Sequence, residues 1–427
     1  MPVEHPLRRE VNNEVHARPP EAMVAPLRVS FLAMYAVGET RDQGWRKVQA
    51  LATRFGVAAP ADNASHFSAD LGAFRLKAER HSEFLRLKVI VAGRGSAGDP
   101  FAEPALDAVP ADWVAGLPGQ LLVSTNVALL PAADGIPDAD TIATRWFGGN
   151  QLVAASIAAG AAQAYTDFNI QPDGSGRILI YDHGLTPRQA GRSVQRLVEI
   201  DTYRVLALLA FPMARALVPQ INRGERELAE ITRALVDAQA KDEPALFERL
   251  SRLGASIESQ QSDSLFRFSA AEAYDTLVQQ RIVDLRETRL PGLQTFKGFM
   301  GRRLEPAMAT CRSVKARLEL LSQHLARVNE LLATRVDITR EEQNQRVLES
   351  MDRRARVQLR LQETVEGLSV AAITYYIVGL VGYLAKGAKA AGVSLDVEIV
   401  MAVSIPLIAV LIYVGLRRLH ASLAKDH

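Results

Sequence analysis

Apolar and polar residues alternate with a period of two in the first part of this chain, and with a period near 3.6 in the rest. Residues 29–37 read as a strand, and residues 42–55 as an amphipathic helix with Trp45, Val48, Leu51, Ala52 and Phe55 on one face. Two further strands follow at 72–80 and 83–92. The same order returns as a strand at 120–130, a helix at 138–147 and strands at 151–156, 163–170 and 177–182. Two βαββ-like halves therefore predict one mixed α/β sheet domain over residues 28–184, duplicated in pattern and not in residue identity. Asp173-Gly174-Ser175-Gly176 falls where a hairpin turn belongs.

No strand pattern returns after Asp182. Thr186, Pro187 and Gln189 form a helix start, with a capping hydroxyl, a first-turn proline and a glutamine at the third helical position. The apolar run at 205–211 is too short to cross a bilayer and is followed by Pro212, so it is expected to pack inside the protein. A linker at 241–244 leads to more helices; Ser269 with Glu272 reads as a capping box, and Pro291 and Pro306 as breaks. Val314, Leu318, Leu321, Leu325, Val328 and Leu332 step by four and three, the seam of a coiled coil within or between chains. Asp337-Ile338-Thr339 with Glu342 reads as a restart, dividing a helical domain at 185–338 from a stalk helix at 339–367. If helical throughout, residues 340–385 extend about 69 Å.

The stalk is expected to enter a membrane. Residues 368–385 and 399–416 are two runs of 18 residues without a charged side chain. Each spans about 27 Å as a helix, close to the ~30 Å hydrocarbon core of a bilayer. Arg353, Arg354, Arg356 and Arg360 precede the first run, Arg417, Arg418 and Lys425 follow the second, and only Lys386 and Lys389 lie between. Positive residues stay on the cytoplasmic side, which places both termini there, residues 387–397 outside, and 417–427 as a basic cytoplasmic tail. The expected fold class is α+β: a polar N-terminal segment at 1–27, the α/β sheet domain, a long helical and coiled-coil stalk, and two C-terminal transmembrane helices.

Composition narrows the function classes. A chain of 427 residues with 48% hydrophobic side chains can bury a substantial core. A net charge of +2, with basic residues interleaved among acidic ones, gives no basis for nucleic acid as a partner. The single cysteine, Cys311, excludes a disulfide framework and any cysteine-based zinc site. The first 20 residues hold no apolar core of the signal-peptide kind.

Candidate chemistry is sparse. Asn12, Glu14, His16 and Arg18 alternate ahead of Pro19-Pro20, and in an extended segment they share one face, where they would converge on a ligand or dock the segment onto neighbouring elements. Residues 93–98 match G-x-G-x-x-G, but Asp99-Pro100 and Pro104 follow where a helix would have to begin, so a loop is expected. Glu79 with His81 and Asp182 with His183 place an acid near an imidazole and are expected to be structural or ligand-contacting. Trp146-Phe147-Gly148-Gly149-Asn150 is either a pocket rim, with Trp146 and Asn150 as contacts, or a glycine-capped helix end with its aromatics in the core. Ala372, Tyr375, Gly379 and Gly382 fall on one face of the first membrane helix, a packing or pore-facing stripe. Pro406, beside Ser404, suggests a kink in the second. No metal-ligand spacing, nucleophile elbow or phosphate loop is present, and no catalytic residues are assigned.

The segments NEVHARPP (from Asn13), ERHSEF (from Glu79), WFGGN (from Trp146), LTPRQAGR (from Leu185), EIDTYR (from Glu199) and ETVEGLSVAAITYY (from Glu363) resemble a family of uncharacterised bacterial membrane-anchored proteins, defined only as a domain of unknown function. The resemblance covers almost the whole chain. It implies a multi-pass protein of the bacterial inner membrane, with the bilayer as partner, and it carries no activity, cofactor or catalytic residue. In architecture the chain is also similar to the CorA-type magnesium transporters. Those carry Gly-Met-Asn after the first membrane helix, where this chain has Tyr383-Leu384-Ala385-Lys386-Gly387. The sequence thus points to a non-enzymatic, homo-oligomeric module that binds an unidentified ligand or partner, with an oligomeric CorA-like channel as the alternative.

Overall fold

The structure, a computed structural model, describes all residues except 1, 15–19, 96–97, 240, 393 and 424–427. A short helix, α1 (Arg8–Glu14), precedes the sheet domain. The extended conformation expected for Asn12 and Glu14 is corrected here, because both lie in α1; Arg8 reaches back one turn to Glu4 at 2.7 Å. His16 and Arg18 lie outside the described residues.

The first half of the sheet domain comprises β1 (Leu27–Tyr35), α2 (Gly38–Arg54), β2 (His66–Asp70), β3 (Arg75–Arg80) and β4 (Phe84–Ala92). After the short α3 (Ala111–Ala115), the second half is β5 (Gln120–Pro131), α4 (Ala139–Trp146), β6 (Val153–Ile157), β7 (Ala162–Thr166) and β8 (Gly176–Asp182). Each half is thus βαβββ, which for the first half is one strand more than the two expected after its helix. The added strand, β2, is an edge strand whose Phe67 alone is buried, so its apolar signal is too thin to read from sequence.

All of these strands join one nine-stranded sheet in the order β2-β3-β4-β1-β5-β8-β7-β6-β9, where β9 is Thr288–Arg289. The two halves therefore meet at β1 and β5, which pair antiparallel, and each continues outward through its last, middle and first meander strand. They are not superimposable copies. The first half joins β4 to β1 antiparallel, whereas the second joins β8 to β5 parallel, so the meander is reversed.

Strand alternation divides the side chains between two faces. On one, Leu32, Leu76, Leu85 and Leu87 pack with Trp45, Val48 and Leu51 of α2, while Ala128, Leu179 and Tyr181 pack with Ile142 and Trp146 of α4. Each buried leucine, valine or isoleucine among these contributes about 1.5–3 kcal/mol. The other face is covered by α5 (Pro187–Leu208), whose start is capped as the sequence predicts: Thr186 N donates to Gln189 Oε1 at 2.9 Å and Gln189 N to Thr186 Oγ1 at 3.4 Å.

The remaining helices are α6 (Ala210–Asp237), α7 (Glu243–Leu285), α8 (Phe296–Ala390) and α9 (Val397–Leu423). Three expected interruptions are corrected: Ser269 lies inside α7, and Pro306 and Thr339 inside α8. Capping residues stop a helix only where the preceding turn cannot continue, and neither site has a glycine or proline just before it. At Pro306 the lost hydrogen bond is offset by burial of Leu304, Ala307 and Met308.

Two compact units result, Met1–Asp237 with Pro244–Asn329, and Ala238–Glu243 with Glu330–His427. In the first, the predicted seam is filled by the chain itself. Val314, Leu318 and Leu321 are buried, and Leu321 packs into the space left by Gly224, where an added Cβ would lie 3.0 Å from it. Arg317 clasps Glu225 at 2.7 Å and Asn222 at 2.6 Å across this contact. In the second unit, Arg335 pairs with Glu243 at 3.0 Å, and Thr374, Val378, Gly382 and Ala385 form the buried face of α8.

Candidate functional site

Two chemically distinct features sit on the α5 side of the sheet, both within the first unit. The first is a buried ionic network. Register places Lys77 opposite Lys88 and Glu79 opposite Arg86, and alternation puts all four on the face opposite the leucines of β3 and β4. Arg86 bridges Glu79, in direct ion-pair contact, and Glu199 of α5 at 3.2 Å. Glu199 also accepts from Gln195 at 2.8 Å and pairs with Arg281 of α7 at 2.5 Å. Lys77 lies 3.2 Å and His81 3.7 Å from Glu79. The network joins strands β3 and β4 to helices α5 and α7, bringing ERHSEF and EIDTYR together. A parallel clasp ties Glu83 to Arg267 at 2.6 Å, and Arg267 to the Tyr35 hydroxyl at 3.2 Å.

Burial by itself would raise the Glu79 carboxyl, but the His81 hydrogen bond and the charges of Arg86, Lys77 and Lys88 outweigh it and hold Glu79 well below the usual carboxylate range. Glu199 is likewise held down by Arg86, Gln195 and Arg281 against its own desolvation. Lys88 goes the other way. Burial, and then repulsion from Arg86, push its ammonium down to about 8. An ammonium so poised costs stability at neutral pH, whereas Arg86 secures two carboxylates.

The second feature is a cavity of about 250 Å³ lined by Leu121 to Ser124 of β5, Thr166 of β7, the loop Phe168-Asn169-Ile170, Gly174, Gly176 and Arg177, and Asp201, Arg204 and Val205 of α5. Asp201 and Arg204 are three apart on a helix and so share a face. Arg204 donates to Asp201 Oδ1 at 2.6 Å, and the Thr125 hydroxyl to Oδ2 at 2.7 Å. The guanidinium carbon of Arg204 lies 4.9 Å from the centre of the Phe168 ring, which packs on Phe299 and Phe296 at 5.0 and 6.0 Å. Phe168 has φ +54°, a left-handed conformation that costs a bulky residue energy and that these ring contacts hold in place.

The Trp146 to Asn150 turn supports this cavity without entering it. Trp146 is buried in the α4 core, and the chain turns through Gly148 and Gly149 at φ +61° and +76°, with Gly149 N donating to Ala143 O at 2.9 Å. Asn150 donates to Asp167 Oδ2 at 2.9 Å; the same oxygen takes Gln171 at 2.7 Å, while Asn169 N donates to Oδ1 at 3.1 Å. Asp167 thereby fixes the loop that carries Phe168. Arg177 donates to Trp146 O at 2.8 Å and to Asp173 at 2.9 Å. Phe168, Arg177, Asp201 and Arg204 were not singled out by sequence; the i, i+3 acid–base pair in EIDTYR was the available signal.

Elsewhere the predicted sites separate. Gly93, Gly95 and Gly98 have positive φ, and among the described residues no helix starts there. Asp182 turns the chain, accepting from Gly184 N and Leu185 N, with His183 exposed. On α8, Gly382 packs against Met401 of α9, where an added Cβ would meet its sulfur at 2.9 Å, and Gly379 is half-buried. Ala372 and Tyr375 do not share that buried face; Tyr375 is 78% exposed. Among the described residues no group of three or more His, Cys, Asp or Glu side chains could hold a metal ion.

A family model described as a protein of unknown function, DUF3422, matches residues 3–423. The chain belongs to the DUF3422 family. No curated protein and no solved structure shows significant similarity to it. By length and composition this DUF3422 chain has three helical stretches able to cross a membrane, Pro187–Asp237, Phe296–Ala390 and Val397–Gly415. In the first, Leu206, Ala207, Ala210 and Ala214 are buried within the sheet-containing unit. In the last, the most apolar window is wholly unburied.

Proposed function

We propose that this protein is a membrane-anchored binding module of the bacterial inner membrane, held by the apolar ends of α8 and α9 with both termini in the cytoplasm, and that its sheet domain binds a ligand at the cavity beside α5. The observation that carries the anchor is exposure of large apolar side chains where a water-soluble helix would bury them. Leu368, Tyr376 and Leu384 of α8 and Ile399, Leu407 and Leu411 of α9 are all exposed. Such continuous apolar surface calls for lipid. Binding, and not catalysis, is supported by the state of the cavity's acid. Asp201 is engaged by Arg204 and Thr125, and no His, Cys or Lys side chain stands beside it among the lining residues to complete a base and nucleophile set.

Fusions of a cytoplasm-active reporter at the C-terminus and a periplasm-active one within 391–396 test the topology. Activity of the pair supports it, and the reverse pattern refutes it.

The anchored module is proposed to self-associate. The seam at Leu318 and Leu321 is occupied within the chain, so the contact falls to the exposed apolar positions Val347, Leu348, Met351 and Leu359 of α8. An oligomeric channel of CorA-like build is favoured by the same feature joined to two spans, although Lys386, 6.0 Å from the Tyr383 ring centre, stands where those transporters carry Gly-Met-Asn. Mass measured in mild detergent separates the two. A monomer at all concentrations eliminates the channel and leaves the anchor.

A further inference from the structure

We propose that the cavity beside α5 is a site for a small organic carboxylate with an aromatic or apolar body; this rests on the binding-module reading and names its ligand. Size sets the first limit. At about 250 Å³ the space lies below the ~300–1,000 Å³ typical of sites for drug-sized ligands, so the occupant has the dimensions of an amino acid or an aromatic acid. The walls set the second. Leu121 and Ile170 are exposed large apolar residues at its rim, and Val205 and the Phe168 ring continue the apolar surface. An apolar body buries itself there.

The polar groups decide the charge. Arg204 spends Nη2 on Asp201 and leaves Nη1 without a hydrogen-bond partner among the described residues, whereas Arg177 spends Nη1 on Trp146 O and Nη2 on Asp173. Two guanidinium groups thus line one cavity, that of Arg204 with a free donor, and Asp201, the one carboxylate among the lining residues, already accepts from Arg204 and Thr125. A guanidinium is a planar, permanently charged fork matched to a carboxylate, and here Phe168 fixes its plane. A ligand cation would face two guanidinium groups and one carboxylate that is already ion-paired with Arg204. A phosphate dianion would bring two charges to a lining of two arginines and one aspartate, in which each arginine already has an aspartate partner. One negative charge fits better.

Gly176 supplies an independent handle. Its φ lies outside the left-handed region, and an added Cβ would meet Ser124 O, Asn169 O and Asp201 Oδ2 only at 3.7–3.8 Å. Gly176→Val would therefore fill the cavity without straining the backbone.

The experiment uses the full chain in mild detergent, with binding read by calorimetry and by the shift of the thermal transition. The probes are benzoate, phenylacetate, the uncharged benzamide and benzyl alcohol, and inorganic phosphate. Benzoate or phenylacetate is expected to bind, with the uncharged analogues about tenfold weaker or more, because each lacks the charge-assisted bond to Arg204. Arg204→Gln and Gly176→Val are each expected to reduce carboxylate binding by at least the same factor, and Gly176→Val serves if Arg204→Gln does not fold. Equal binding of acids and amides, both blocked by Gly176→Val, overturns the carboxylate but keeps the binding module. Phosphate binding alone, lost in Arg204→Gln, also replaces the ligand class and spares the module. Absence of binding by every probe at millimolar concentration overturns the site itself.

Discussion

Arg86 is the residue on which the α5 side of the sheet depends most. Its guanidinium lies between Glu79 and Glu199, which are 2% and 3% exposed. Arg86→Met keeps an apolar stem of similar width and removes the guanidinium, with its charge and its donors. Both carboxylates would then remain desolvated, Glu79 with Lys77 and Glu199 with Arg281. Breaking a buried pair by removing one partner costs about 3–5 kcal/mol, against a typical total stability of about 5–15 kcal/mol for a domain. The assay is direct, because the chain's three tryptophans, Trp45, Trp113 and Trp146, are all buried in the sheet domain. Tryptophan fluorescence during denaturant unfolding of the full chain in detergent therefore reports this domain and not the membrane helices. Arg86→Met is expected to lower its stability by at least about 3 kcal/mol. Adding Glu79→Leu should recover part of the loss, since it removes one orphaned charge. A loss below about 1 kcal/mol, or strict additivity of the two substitutions, would refute the view that the network is one coupled unit.

Lys88→Met, one pleat along β4 from Arg86, should be neutral or stabilising at pH 7, the opposite sign to Arg86→Met. With the Lys88 ammonium lowered from 10.5 to about 8, the unfolded chain binds more protons between those values, so wild-type stability gains up to about 3 kcal/mol from this group as pH rises through that window. Measuring wild type minus Lys88→Met isolates this gain from Tyr203 and Tyr274, whose raised pKa values act in the other direction; a flat difference refutes it. At the acid end, the contribution of Glu79 is present above about 4.5 and is lost as pH falls towards its depressed folded value, so Glu79→Gln should flatten the acid limb of the fluorescence curve. Gly191→Ala should destabilise by about 1–3 kcal/mol, because its Cβ would fall 1.7 Å from the carbonyl oxygen of Glu21, where the chain crosses the start of α5. Limited proteolysis near residue 21 in that variant checks that the crossing segment has been displaced.

Much of the architecture is legible in local patterns, because periodicity is a property of neighbouring residues. The strand and helix order of the sheet domain, the capped start of α5 and the two uncharged runs are of this kind. Thin local signals misled: β2 presents one buried apolar residue, and Ser269 and Thr339 resemble caps although nothing before them ends a helix. The candidate cavity was out of reach for another reason. Phe168 reads as part of the strand expected at 163–170, but that strand ends at Thr166 and Phe296, 128 positions later in the sequence, packs against the ring, and Arg204 lines a cavity only when α5 lies over β5 and β8. The network of Glu79, Arg86, Glu199 and Arg281 is the same case. Taken separately these are four surface-type charges; the sheet register and the placement of α5 and α7 remove them from water, and only desolvation makes their pairing decisive.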